Sequence, residues 1–201
     1  MLAGIWLIGG VAVAVVLILV VRTRASKAKA AAEWTRLHAL LSNRQIPRQS
    51  IAHTIVMLGK PFDKDRIYKA KDAVLQHRDH EDAWIRHEVL WFVGSWGRLQ
   101  ECLPILIHAM HNDPFEDNRA YAARSIGTVM RGTQDSLAIK ELLSVLKNQS
   151  EKTTVRLDAY RGLLLTVKGE SAEHEANHFP WSEKDLSDVD WHWVSHLESL
   201  A

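Results

Sequence analysis

Three ten-residue segments of this chain align without a gap, and that recurrence limits the fold more than any other feature. They run from Ile85 to Gly94, from Asn118 to Gly127 and from Val155 to Leu164. Each carries an arginine at its second position: Arg86, Arg119 and Arg156, spaced 33 and 37 apart. Apolar or small residues follow at +3 and +4 and again at +6 and +7, the face of a helix of period 3.6. A period of this length means that one supersecondary unit is copied and stacked, each copy burying the face its neighbour cannot bury alone. A second apolar-faced segment follows the first two copies, Leu99 to Met110 and Ser136 to Leu146. Asp113-Pro114 and Gly132 to Asp135 supply turn and capping residues between them. Upstream, Gln49 to Leu58 and Asp65 to Leu75 form a divergent pair joined through Gly59, Lys60 and Pro61. No window alternates strictly as a sheet would. The expectation is an all-α fold of antiparallel helix pairs.

The central copy reads Asp113, then Asn118-Arg119, Ala122-Ala123 and Ile126-Gly127; the first reads Asp82, Arg86 and Gly94. An acid in the turn, an arginine opening the helix, two small residues and a closing glycine resemble the HEAT-like repeat family in its short bacterial form. The likeness covers about residues 48–168. The third copy departs from it, with Tyr160 in place of a small residue and Leu164 in place of glycine. The resemblance implies a short α-solenoid whose inner helices offer an extended binding surface. It also implies that Asp82, Arg86, Asp113, Arg119 and Arg156 are structural, the acids and arginines bridging neighbouring turns.

Leu2 to Val21 is a run of 20 residues without a charge. As a helix it spans about 30 Å, the thickness of a bilayer core. Arg22, Arg24, Lys27 and Lys29 follow at once, and no Lys or Arg precedes the run. A cleaved signal peptide expects the reverse order and a shorter apolar stretch. The reading is a single-pass inner-membrane anchor, N-terminus outside and C-terminal domain in the cytoplasm. One cysteine, Cys102, suits that reducing side. Trp6 sits where an interfacial indole is favoured, and Gly10 with Ala14 offers a small-residue pair for a possible homo-oligomer. The expected divisions are a transmembrane helix at 1–21, a basic juxtamembrane helix and linker at 22–47, repeats at 48–168, and an acidic Trp- and His-rich cap at 169–201. Charge follows them: +7 over residues 22–60, +1 over 61–169 and −7 over 170–201.

Histidines, acids and the lone thiol raise the question of chemistry. His87-Glu88 resembles one ligand pair of deoxyhypusine hydroxylase, a HEAT-repeat di-iron enzyme, but the matching positions in the other copies are Ala120-Tyr121 and Leu157-Asp158. A di-iron centre needs several such pairs. His174 with His178 has helical spacing on a loose segment. These four residues are the metal candidates, and no metal or other cofactor is expected. CxxC, GxSxG and phosphate-cradling glycine loops are absent from the sequence. Cys102 reads as a small buried hydrophobe. A near-neutral body argues against nucleic acid as partner, despite the HEAT-like DNA glycosylases.

Partner-binding candidates are Trp91, His108, His111, Trp191 and Trp193. Trp91 occupies the position of Arg124 and Arg161 in the other copies. We expect it to pack against the preceding helix pair, an exposed anchor being the alternative. A last helix from about Glu183 to Leu200, capped by Ser182 with Asp185, should close the stack through Trp191, Val194 and Leu197. The functional expectation is a membrane-anchored, non-enzymatic scaffold that binds a protein. The alternatives are an enzyme or accessory subunit, such as the HEAT-like bilin lyases, and a structural protein of the lipid surface using the basic neck.

Overall fold

A computed structural model describes residues 25–42, 46–60, 63–172 and 185–198. Every regular element among them is helical. The chain divides between Ile46 and Pro47 into two compact units. In the first, residues 25–42 form helix α1, which carries an exposed Arg36–Glu33 pair at 2.8 Å and a half-buried Trp34–His38 stack. The span expected at Leu2 to Val21, with Arg22 and Arg24, lies outside the described residues. Among the described residues no helix is long and apolar enough to cross a membrane.

In the second unit the helices are α2 (Arg48–Gly59), α3 (Lys64–Leu75), α4 (Ala83–Trp91), α5 (Leu103–Asn112), α6 (Glu116–Val129), α7 (Ser136–Lys147), α8 (Thr153–Lys168) and α9 (Trp191–Glu198). Asp63, Asp82 and Asp135 cap α3, α4 and α7 by accepting first-turn amides. The helices of the three aligned segments follow one another in contact, α4 on α6 and α6 on α8, and α2 of the upstream pair lies against α4. Between them lies the core, including Ile55, Ile85, Phe92, Ile126 and Leu163, each almost fully buried.

Small residues set how closely these helices approach. A Cβ on Gly94 would stand 2.6 Å from the Ser125 side chain, and one on Gly127 would stand 2.6 Å from Gly162 Cα. So the residue eight places after the arginine of one copy meets the residue six places after the arginine of the next, twice over. Gly162 in turn leaves no room against the Ala123 carbonyl. The closing glycine of the sequence pattern is thus a helix-crossing residue.

Four features differ from expectation. Among helices consecutive in the chain, α5 packs on α6 and α7 on α8, rather than the pairs read from the sequence, α4 with α5 and α6 with α7. The reason is connection length: α5 turns into α6 through Asp113–Phe115, whereas α4 reaches α5 through a longer detour. That detour is the second difference. α4 ends in a π turn, Phe92–Trp96, and Arg98 has φ +47°. Third, a 3₁₀ turn, Gln100–Cys102, precedes α5, because Pro104 confines the α-helical start to its first turn. Fourth, α9 begins at Trp191 rather than near Glu183. Asp185 caps a separate 3₁₀ turn, Leu186–Asp188, by accepting the Ser187 amide. Asp185, Asp188 and Asp190 all favour caps over helix interiors. Ser182 and Glu183 lie outside the described residues. α9 rests on α7, burying Val194 and Leu197. Trp193 meets Tyr160 of α8 edge-on at 5.9 Å. Trp191, expected on that buried face, is 40% exposed and donates its indole N–H to the Leu186 carbonyl.

Candidate partner-binding face on α4, α6 and α8

The repeat arginines are consumed by the fold. Arg86 forks onto Asp113 with two hydrogen bonds of 2.8 Å and donates again to the carbonyls of His80 and Glu81. Arg119 repeats this on Glu151, at 3.0 and 2.9 Å, and on the carbonyl of Asp113. Each guanidinium therefore ties its own preceding turn to the turn that opens the next copy. Burial pushes the Asp113 carboxyl up. The Arg86 fork, the Phe115 amide and Asn118 outweigh that and hold it below the usual range. Arg119 likewise lowers Glu151. At the start of the stack Arg48 reaches Glu81 at 2.7 Å and Asp82 at 3.6 Å, so Glu81 takes most of the role expected of Asp82. At the other end Arg156 donates to the Leu146 carbonyl, 2.8 Å away.

Five residues beyond the repeat arginine stands a second column: Trp91, Arg124 and Arg161. Here the surface is aromatic and basic. Trp91 is 38% exposed and Trp84, two turns earlier on α4, is 62% exposed. Trp91 does not lean back on the preceding pair as expected. It stacks on Tyr121 of α6, with centroids 5.5 Å apart, and it is Trp96 that packs back, its ring filling the space over Gly59. The π turn supplies the reason: one extra residue per turn swings Ser95 and Trp96 away from the continuation of α4. Ser95 then meets the Tyr121 hydroxyl at 2.5 Å, fixing the ring on which Trp91 lies. His87 fills the gap between the tryptophans, stacked on Trp84 at 5.6 Å and 4.7 Å from the Tyr121 ring. Arg124 lies over the same tyrosine, 4.9 Å from its centroid.

The metal candidates do not converge. His87 Nδ1 is bonded to Asn118 Oδ1 at 3.2 Å, and burial lowers its pKa. Glu88 is buried, and burial pushes its carboxyl up. Among the described residues that carboxyl meets no hydrogen-bond partner, and no three His, Cys, Asp or Glu side chains are grouped to hold an ion. His174 and His178 lie outside the described residues. Cys102 is buried, its thiol pushed up to about 11, which keeps it a thiol rather than a thiolate nucleophile.

The other candidates are scattered. His111 is bound to Glu141 of α7 at 2.8 Å. His108 is exposed and lies on a cleft of about 670 Å³ between the 78–81 turn and α5, floored by Val89, Leu90 and Ile105. Trp193 carries Lys168 over its ring at 4.8 Å. Lys27 and Lys29 are exposed on α1. Sequence reasoning missed Glu81 and Glu151 as acceptors, though both stand five residues before a repeat arginine, and it missed Tyr121 and Arg124. Chemically, the α4–α6–α8 face offers flat aromatic surface and guanidinium donors. The chain matches no protein-family model, and no curated protein matches it.

Proposed function

We propose that this chain is a membrane-anchored HEAT-like scaffold that holds a protein partner against the face built from Trp84, His87, Trp91, Tyr121 and Arg124. One observation carries the reading. Two tryptophans on one side of α4 are exposed, yet each is locked in a stack with a neighbouring ring. Tryptophan, tyrosine and arginine held rigid at a surface are the anchors of protein interfaces, because little side-chain entropy is lost when a partner covers them. Support for a solenoid comes from the helix-after-helix contact order and from the arginine–carboxylate ladder that recurs along it. Support for the anchor and for a cytoplasmic repeat domain comes from the charge-free run and the basic neck after it. α9 serves as the end cap.

Crosslinking at the native membrane, read by mass spectrometry, tests this. A defined protein crosslinked to the wild-type chain should be lost from Trp84→Ala/Trp91→Ala and kept by Trp191→Ala. Crosslinks indifferent to the double change, or centred on α9, would remove the basis of the proposal.

A further inference from the structure

The second arginine column contains a guanidinium that the fold leaves unfilled. The Arg124 side chain is 34% exposed. Among the described residues that side chain makes no hydrogen bond: it lies over Tyr121 and reaches Asp158 only at 4.0 Å. An arginine presents five N–H donors in a fixed plane. Arg119, on the same helix, has its donors placed on a carboxylate and on a carbonyl, whereas those of Arg124 have no acceptor among the described residues.

The surroundings are also short of negative charge. Asp158 stands between two guanidiniums, 4.0 Å from Arg124 and 3.9 Å from Arg161. Burial pushes the Asp158 carboxyl up and weakens its share of neutralisation. Burial and the nearby Arg124 charge lower Arg161 to about 10. Trp91, partly exposed, stacks on the same Tyr121 ring and forms an apolar flank.

We infer that Arg124, stacked on Tyr121 beside Trp91, receives a carboxylate side chain of the protein partner, an aspartate or glutamate next to an aromatic or apolar residue. The inference rests on the reading of this face as the partner surface. A planar carboxylate matches the guanidinium fork with two parallel hydrogen bonds, and the neighbouring residue lies on Trp91. A nucleic-acid strand fits less well. Its phosphate track needs an extended basic surface, and residues 61–169 carry a net charge of only +1.

The test uses the full chain in nanodiscs, with arginine Nε–H and tryptophan indole N–H resonances observed during titration. The probes are N-acetyl-Trp-Glu-amide, its Gln counterpart and inorganic phosphate. The expected result is a saturable shift of Arg124 Nε–H and of the Trp91 indole with the Glu peptide. It should weaken about tenfold or more with the Gln peptide and in Arg124→Gln. Arg124→Lys, which keeps the charge but loses the fork, should lose most of that gain. Unchanged melting temperatures would show that both variants fold. If the Trp91 indole shifts alike with both peptides while Arg124 stays still, the carboxylate inference fails and the partner face stands. If neither resonance moves, both readings fail at this site. If phosphate shifts Arg124 more than the Glu peptide does, the site belongs to a phosphate group and the inference is overturned.

Discussion

Arg119 and Arg124 sit five residues apart on α6, one on each side of the boundary between fold and surface. Arg119 bridges to Glu151 and to the turn before its own helix. Arg124 lies on a tyrosine ring, its donors unused among the described residues. The same side chain holds the stack together in one column and lies on a ring with its hydrogen-bond donors unused among the described residues in the next. What separates them is the position of the turns: an arginine at the helix start is surrounded by carbonyls and acids of two connections, whereas one a turn and a half further along faces only helix sides. Saturation of the guanidinium, rather than its charge, marks the structural arginine.

This contrast can be broken from either side. The largest effect should come from Arg86→Met. It strands Asp113, whose side chain is 5% exposed, and should cost about 3 kcal/mol, as does removal of one partner from a buried pair. Thermal or urea unfolding of the full chain in detergent would measure it. The pH dependence carries a sign. Asp113 and Glu151 are held below their unfolded values, so the stability they confer is present above about pH 4 and is lost as pH falls through their folded values. Arg86→Met should remove much of the acid limb of the stability profile.

Gly127→Ala should follow, at about 2 kcal/mol, because the new methyl meets Gly162 backbone that cannot yield without separating α6 from α8. A loss much below 1 kcal/mol would show that the helices can slide apart at little cost. Glu88→Gln should act in the opposite direction. Its carboxyl is raised by burial, so the ionised form is penalised increasingly as pH rises above about 4.3. The variant should gain about 1 kcal/mol at pH 7 and almost nothing at pH 4. Destabilisation at pH 7 would mean that the carboxylate has a partner in the folded state. The smallest effect belongs to Arg124→Met, within about 0.5 kcal/mol of wild type. A loss comparable to that of Arg86→Met would erase the distinction between the two columns.

Much of the frame is legible in the sequence. The helices that open with the repeat arginine, the acid Asp113 opposite Arg86 and the closing glycines Gly94 and Gly127 follow from a pattern that repeats, because each copy meets the same neighbour; Glu81 and Glu151 fall outside that pattern. The face on α4, α6 and α8 is less legible for the converse reason: Trp91 stands where the other copies have Arg124 and Arg161, Trp84 and Tyr121 do not recur at all, and positions that vary give no periodic signal. Trp91 turns forward onto Tyr121 rather than back, and no residue pattern announces the π turn that sends Trp96 over Gly59 in its place. The start of α9 falls later than helical spacing suggests, because Asp185, Asp188 and Asp190 bond to backbone at the turn instead of extending the helix. The pairing of α5 with α6 depends on turn length, which the apolar periodicity does not report.

Photocrosslinking from position 124 in cells is the most direct test of the proposal, since it asks whether a protein sits on the unfilled column. A partner on this face predicts a discrete adduct with one protein, abolished by Trp91→Ala at an unchanged melting temperature and absent when the crosslinker is placed at His108. No adduct from position 124, together with a strong one from His108 or Trp191, would contradict it.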